Sequence, residues 1–439
     1  MGFGENFRPK VPSRNWLIFL SITGSLASAI IYDKREKNRA QRKWCKLVEH
    51  ISKEPLDSRA MPRRLTVFLE GPPTDGLRNA QDHFKEYVKP ILVASGLDWE
   101  FIQGRKEGDV RAELAEKIRN QRLPPDQRTV EDPIATMRLS SGISEFDGPR
   151  GDIVLGRHTW KEYVRGLHEG WLGPLAEPQK PQEDELPKEI IEQTSGSTIE
   201  TLPGITIDAS TIRDVSEVAP TEAPSTDKDK LKKPPQPSPF ITTFEYSAAT
   251  APSSLPQEFD PSTPISFPHI LGFLNTPKRL YRFLNRRKLA DSIGRETAAI
   301  ILSNYRPYHT STAVGETSFT ADQAEQDDTP NVPQIAEQQT ALVEEEKEWH
   351  KSVRVRKEGE PERTWLDPIV LDPRIAERMR RFELSAEDEA RARSIVVPEE
   401  EIEGWIKGSL RKLGRTGKEY FFGEKKKKTP AEQIAEEGF

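Results

Sequence analysis

Apolar positions along this chain follow two regimes, one continuous and one periodic. The continuous run comes first: from Asn15 to Tyr32 no residue carries a charge. Its length is close to the ~17–25 residues that cross ~30 Å of hydrocarbon at ~1.5 Å per residue. Trp16 and Tyr32 stand at the two ends, with Leu17 and Ile31 just inside them, as aromatic belts stand around an apolar centre. Arg14 and Lys34 flank the run and can extend their charged heads to the interface. The pattern predicts one transmembrane helix over 15–32. Within it Gly24 and Ser28 form a small-xxx-small pair, which lets a second helix approach closely. A small-x-small exit at Ser25 to Ala27 resembles a signal-peptidase site, but the apolar run continues to Tyr32, so a retained span is expected.

The periodic regime occupies 63–173. Leu65 to Leu69 is a short run of the buried-strand type, and Gly71 to Gly76 is a turn cluster. Leu77, Ala80, Phe84, Val88, Ile91 and Leu92 then fall at helical spacing, closed by Gly96. Leu97 to Ile102 alternates like a strand, and Val110, Leu114 and Ile118 mark the face of a second helix. Gly151 to Gly156 reads as a third strand, and Trp160, Tyr163, Val164, Leu167 and Trp171 line a third helix. Strands alternating with helices define an α/β class with a parallel or mixed sheet. The expected architecture is a single N-terminal transmembrane helix followed by a soluble alternating βα body with long disordered linkers.

Composition supplies the linkers. Of 439 residues only 34% are hydrophobic, 31% are charged, and 36 are Pro, so part of the chain is too polar to bury a core. The chain divides into a tail (1–14), the span (15–32), a basic juxtamembrane segment (33–62), the first α/β part (63–173), a disordered linker (174–240), a second soluble part (241–309), a second disordered linker (310–347), a C-terminal helical part (348–423) and a charged tail (424–439). Residues 239–268 read as irregular packing with aromatic anchors and 269–304 as helical. Asp372 before Pro373, and Ser385, read as helix caps, and Ile402, Trp405, Ile406 and Leu410 as a final helix.

Charge and candidate chemistry change this picture little. The formal net charge is −6, which argues against a nucleic-acid partner. Cys45 is the only cysteine, so neither an intrachain disulfide nor a cysteine-based metal site is available. The turn Glu70 to Gly76 sits where an α/β fold can bind phosphate, but two prolines remove backbone donors and no Lys follows. His83, His158 and His168 lack metal-ligand spacing, and Asp98 and Glu100 share a strand face that suits a solvent-facing edge better than acid–base work. No catalytic residue, cofactor site or metal site is assigned. The stronger feature is basic: Lys278, Arg279, Arg282, Arg286 and Arg287 surround Leu280, Phe283 and Leu284 on a predicted amphipathic helix, which suits an anionic membrane surface or an acidic partner. Lys34 to Lys46 is read the same way, as a stretch resting on headgroups.

Pro12 to Trp16, the span, Tyr32 to Lys37, Ala80 to Phe84, Tyr87 to Pro90, Leu97 to Phe101, Gln103 to Gly108 and His269 to Pro277 together carry a resemblance, which is to the fungal fifty-four-kilodalton subunit family of the mitochondrial inner-membrane carrier translocase. It implies a non-enzymatic scaffold and docking subunit that assists insertion of multi-span inner-membrane proteins. The implied partners are the channel-forming subunit, a small chaperone complex of the intermembrane space and inner-membrane lipids, within a hetero-oligomeric complex. The implied location is the inner membrane, single-pass, with the large C-terminal domain in the intermembrane space. Charge counting opposes that orientation, because basic residues are denser after the span than before it. The rival reading of the residues is a membrane-anchored α/β enzyme acting on a phosphorylated or lipid substrate, which requires Gly71 to Gly76 to bind an anion.

Overall fold

The computed structural model describes residues 13–56, 59–124, 127–128, 137–138, 140–143, 146, 148–178, 237–312, 334–354 and 363–404. The first helix, α1 (Arg14–Val48), contains the whole apolar run and does not stop there. It continues past Asp33 because a second apolar face begins: Ala40, Trp44, Leu47 and Val48 recur at three- and four-residue steps and enter the core. The membrane helix and a core helix of the body are thus one element.

Four parallel strands form the sheet, in the order β2-β1-β3-β4. They are β1 (Arg64–Glu70), β2 (Asp98–Gly104), β3 (Asp152–Leu155) and β4 (Ser262–Ile265). Val67 lies opposite Phe101 on one side and Ile153 on the other, and Ile153 lies opposite Thr263. The alternation of β1 sorts its side chains. Leu65, Val67 and Leu69 enter one core with α1, with α2 (Leu77–His83), its π-helical continuation Phe84–Val88 and α3 (Lys89–Ser95). Phe68 faces the opposite core with α4 (Asp109–Arg122) and α5 (Arg157–Leu172). The parallel α/β class expected from the sequence is the class observed.

After β4 come α6 (Thr276–Phe283) and α7 (Arg286–Leu302). Helix α7 packs along α1 so closely that a Cβ at Gly294 would collide with the Trp44 ring. Short strands β5 (Tyr305–Pro307), β6 (Thr310–Thr312) and β7 (Gln334–Ala336) follow, then α8 (Glu337–Thr340) and α9 (Val343–Glu346). The final elements are α10 (Pro373–Ala376), β8 (Arg380–Phe382), α11 (Ala386–Ser394) and α12 (Glu399–Glu403). Asp372 caps α10 by accepting from the N–H of Arg374 at 2.9 Å, and Ser385 caps α11 by accepting from that of Asp388 at 3.1 Å.

Several expectations are corrected. The strand β4 runs through the stretch read as irregular; its Pro264 is tolerated because β4 lies at the sheet edge. The blocks on either side of 174–240 therefore share one sheet. Residues 334–347, assigned to a disordered linker, form β7, α8 and α9, and 310–312 form β6. The interiors of both expected linkers, the N-terminal tail up to residue 12, and everything from Trp405 onward lie outside the described residues. Four of the basic residues after the span, in the stretch read as resting on headgroups, are met by acids of the body. Arg35 pairs with Glu399 at 2.6 Å, Lys43 with Asp291 at 2.6 Å, Lys46 with Glu401 at 3.0 Å, and Lys37 with Glu86. The charges that looked free are met by acids brought in by the tertiary fold.

Helices α1 and α7 run the same way: Asp33 sits at Arg286 and Arg287, and farther along both helices Trp44 meets Asp291. Arg63, just before β1, donates to the carbonyl of Ile300 near the far end of α7 at 2.8 Å. The strands therefore run back toward the apolar half of α1, and their carboxyl ends lie at the level where that half begins.

Candidate functional site

Parallel α/β sheets bind ligands at the carboxyl ends of their strands, and here that edge carries a groove of about 1580 Å³. Its walls include His83 and Tyr87 after β1, Phe267 and His269 after β4, Arg282 and Arg286 on α6 and α7, and Glu345 and Glu348 near α9. Glu345 is buried and holds two strand-end segments together, accepting from the N–H of Arg157 at 3.0 Å and of Phe267 at 2.6 Å. Burial pushes its carboxyl up to about 7, against those two hydrogen bonds. Glu348 takes both Lys278, at 2.7 Å, and Arg282, at 2.5 Å.

Beside the groove, at the end of β1, Glu70 is fully buried. Burial first, then the charge of the neighbouring Glu162, hold its carboxyl well above the ordinary range. Glu162 in turn accepts from the N–H of Arg111 at 3.2 Å and from the Trp365 indole at 3.1 Å. Glu162 thus joins α4, α5 and the Trp365 segment, with the buried Glu70 carboxyl at the end of β1 close by.

The histidines singled out in the sequence do not meet. His83 Nε2 lies 3.1 Å from the Ser266 carbonyl, and His158 Nε2 lies 3.2 Å from that of Glu70. His168 Nδ1 donates to the Val164 carbonyl at 2.7 Å, while its Nε2 accepts from the N–H of Asp372 at 3.0 Å. Burial lowers all three to about 4. They act as neutral struts between backbone segments. Glu100, on the edge strand β2, pairs with Lys117 at 2.7 Å and Arg64 at 3.1 Å. The Glu70–Gly76 turn is occupied by its own atoms: the N–H of Asp75 donates to the Pro72 carbonyl at 2.9 Å and Gly76 N–H to the Asp75 carboxylate at 2.8 Å. Those two donors are spent within the turn and are not offered to an anion. Among the described residues, no group of three or more His, Cys, Asp or Glu is placed to hold a metal ion.

The predicted basic residues separate into roles. Arg287 stacks over the Tyr32 ring at 5.0 Å and lies 3.7 Å from Asp33, Arg286 lies 3.7 Å from Glu86, and Lys278 and Arg282 belong to Glu348. Arg279 makes no ion pair among the described residues. On the span, Trp16, Leu17, Ile31 and Tyr32 are exposed, and the apolar window of the candidate membrane helix has no buried residue. A Cβ at Gly24 would meet nothing within 4 Å. The hydroxyls of Ser21, Thr23 and Ser25 bond back to helix carbonyls, whereas Ser28 makes no such bond among the described residues. Sequence reasoning did not single out Asp33, Glu348, Phe273 or Leu274; the last two lie in the resemblance block, and their exposure depends on the fold.

An apolar helix that runs unbroken into a parallel α/β body defines a single-anchor membrane subunit whose body is locked to its span. The family described as inner membrane protein import complex subunit Tim54 matches residues 1–382, and the chain belongs to that family. The mitochondrial import inner membrane translocase subunit tim54 of Aspergillus oryzae is 48% identical over 414 residues, covering 91% of this chain and 90% of the relative. That of Neurospora crassa is 46% identical over 439 residues, covering 96% and 88%. The Schizosaccharomyces pombe protein of the same description is 29% identical over 369 residues, covering 84% and 92%.

Proposed function

We propose that this import-complex subunit is a non-enzymatic scaffold that holds a channel-forming subunit through its span and a small chaperone complex of the intermembrane space through its body, in support of multi-span protein insertion. The observation that carries this reading is the continuity of α1, whose apolar half lies bare along its length and whose other half is built into the body's core. Such an element transmits position: whatever packs on Gly24 and Ser28 is held at a set distance and angle from the body. The groove at the carboxyl edge opens near Arg286, which is tied to Asp33 at the end of the apolar run, and this supports a role in passing cargo toward a channel. The large domain is assigned to the intermembrane space, in keeping with the carrier-translocase reading and against the count of flanking charges. A large translocated domain weakens that count.

The test is co-isolation of the tagged full chain from mitochondria in mild detergent, with partners identified by mass spectrometry. Recovery of a membrane channel subunit and small soluble chaperones, with loss of carrier insertion on depletion, is expected. Recovery of the chain alone, with insertion intact on depletion, refutes the scaffold.

A further inference from the structure

We propose that the turn Phe273–Asn275 and helix α6 form a second, interfacial membrane contact, in which Phe273 and Leu274 enter the boundary between headgroups and acyl chains and Arg279 and Lys288 meet anionic phospholipid headgroups. This goes beyond the scaffold reading and needs only that the apolar half of α1 crosses a bilayer.

The first argument is placement. Residues 266–285 connect the carboxyl end of β4 to the start of α7. The start of α7 is fixed to the end of the span, because the N–H groups of Arg286 and Arg287 donate to Asp33 at 3.1 and 3.2 Å. Arg287 also covers the ring of Tyr32, the last residue of the apolar run. Helix α6 has eight residues, so at ~1.5 Å per residue, with the short link through Leu284 and Asn285 added, its far end lies within about 20 Å of that anchor. The segment is therefore tethered beside the end of the apolar run, within reach of the surface of any bilayer that run crosses.

The second argument is composition. Phe273 is 88% exposed and Leu274 is 92% exposed, and Leu280, Tyr281 and Phe283 are exposed on the helix that follows. No other stretch of the described body gathers exposed large apolar side chains so densely. Two such residues at the tip of a short turn have no reason to face water there when hydrocarbon is within reach.

The third argument is charge. The acids around the groove are already engaged: Glu348 with Lys278 and Arg282, Glu86 with Lys37, Asp82 with Arg78 and Lys85, Asp75 with the Gly76 N–H and the Asn79 side chain, and Glu344 with Lys347. Arg279 and Lys288 make no ion pair among the described residues. Two uncommitted cations beside an exposed apolar tip match the chemistry of an anionic lipid surface.

The full chain, reconstituted into phosphatidylcholine vesicles with or without phosphatidylglycerol, tests this. With Cys45→Ser, a single environment-sensitive label is placed by Leu274→Cys. A control label is placed by Phe244→Cys, a residue 91% exposed on the segment that packs by Ile241 against the far end of α5. Both bilayer leaflets are alike, so either direction of insertion presents the same surface. The expected result is blue-shifted emission and quenching by brominated lipid at position 274 and neither at 244. The quenching should strengthen with phosphatidylglycerol, and that dependence should be lost in Arg279→Gln/Lys288→Gln. Equal, water-like emission at both positions overturns the proposal. So does a label at 274 that stays water-like in vesicles but crosslinks to protein in native membranes, which would assign the patch to a partner chain.

Discussion

Asp33, the first charged residue after the apolar run, caps the helix that begins at Arg286, a residue 253 positions away in sequence. The capping position of that helix, Asn285, supplies no side-chain bond of its own, so a carboxylate from the membrane helix satisfies two of its free N–H groups. The same carboxylate favours the positive end of the helix dipole.

Removing that cap tests how firmly span and body are joined. Asp33→Ala is expected to lower stability by about 0.5–2 kcal/mol, the range for a lost cap, with Asp33→Asn losing less because one acceptor remains. Thermal unfolding of the detergent-solubilised chain measures it; an Ala variant that melts with wild type would show the contact to be idle.

The α1–α7 contact offers a steric prediction. Gly294→Ala places a methyl group against the Trp44 ring and is expected to cost about 1–3 kcal/mol, as overpacking does in a filled core. Trp44→Leu in the Ala background should recover part of that loss. Additive losses in the double variant would place the cost elsewhere.

The buried carboxyl pair makes stability depend on pH in a defined direction. The folded state keeps a proton on Glu70, held there by burial and by the charge of Glu162, while the unfolded chain releases it near pH ~4.3. From that pH up to the raised folded value the folded state binds more protons, so this pair costs stability as pH rises. Glu70→Gln keeps an N–H donor for Glu162 with nothing to release. Its melting temperature relative to wild type should climb as pH rises above about 5, up to the raised folded value; a constant difference would mean that Glu70 does not titrate in the folded chain.

The bare face of the span yields the fourth prediction. Gly24→Leu changes no contact within the chain, so membrane insertion and body stability should stay at wild-type levels, while co-isolation of a membrane partner falls. Small residues at helix interfaces work by letting backbones approach, and a Leu side chain prevents that. Native electrophoresis of solubilised membranes reads the outcome, and undiminished assembly would discard the Gly24–Ser28 face.

What the sequence disclosed and what it hid have separate causes. The helices around Phe84, Leu114 and Tyr163 and the strands around Val67, Ile102 and Val154 carry complete periodic patterns, so they were readable one at a time. Strand β4 is four residues long with Pro264 inside it, too short and too irregular to announce itself. The helical face of Ala40, Trp44, Leu47 and Val48 was present in the sequence but masked by the lysines and arginines between them, whose partners Glu86, Asp291, Glu399 and Glu401 are set by tertiary contacts. For the candidate site, the basic residues of α6 were visible as composition. Their sorting into committed and free cations depends on Glu348, Glu86 and Asp33, which no local pattern connects to them.

The continuity of α1 has a consequence for how the molecule comes into being. Its partners arrive late: Asp291 lies 248 residues beyond Lys43, and Glu399 lies 364 beyond Arg35. The first core helix to be synthesised is thus among the last to be completed, and contacts of such long range are slow to form. Until they form, the half of α1 beyond the bilayer presents Trp44, Leu47 and Val48 to water. A soluble fragment that begins after Val48 would lack a wall of its own core, so anchoring and folding are a single assembly step for this chain.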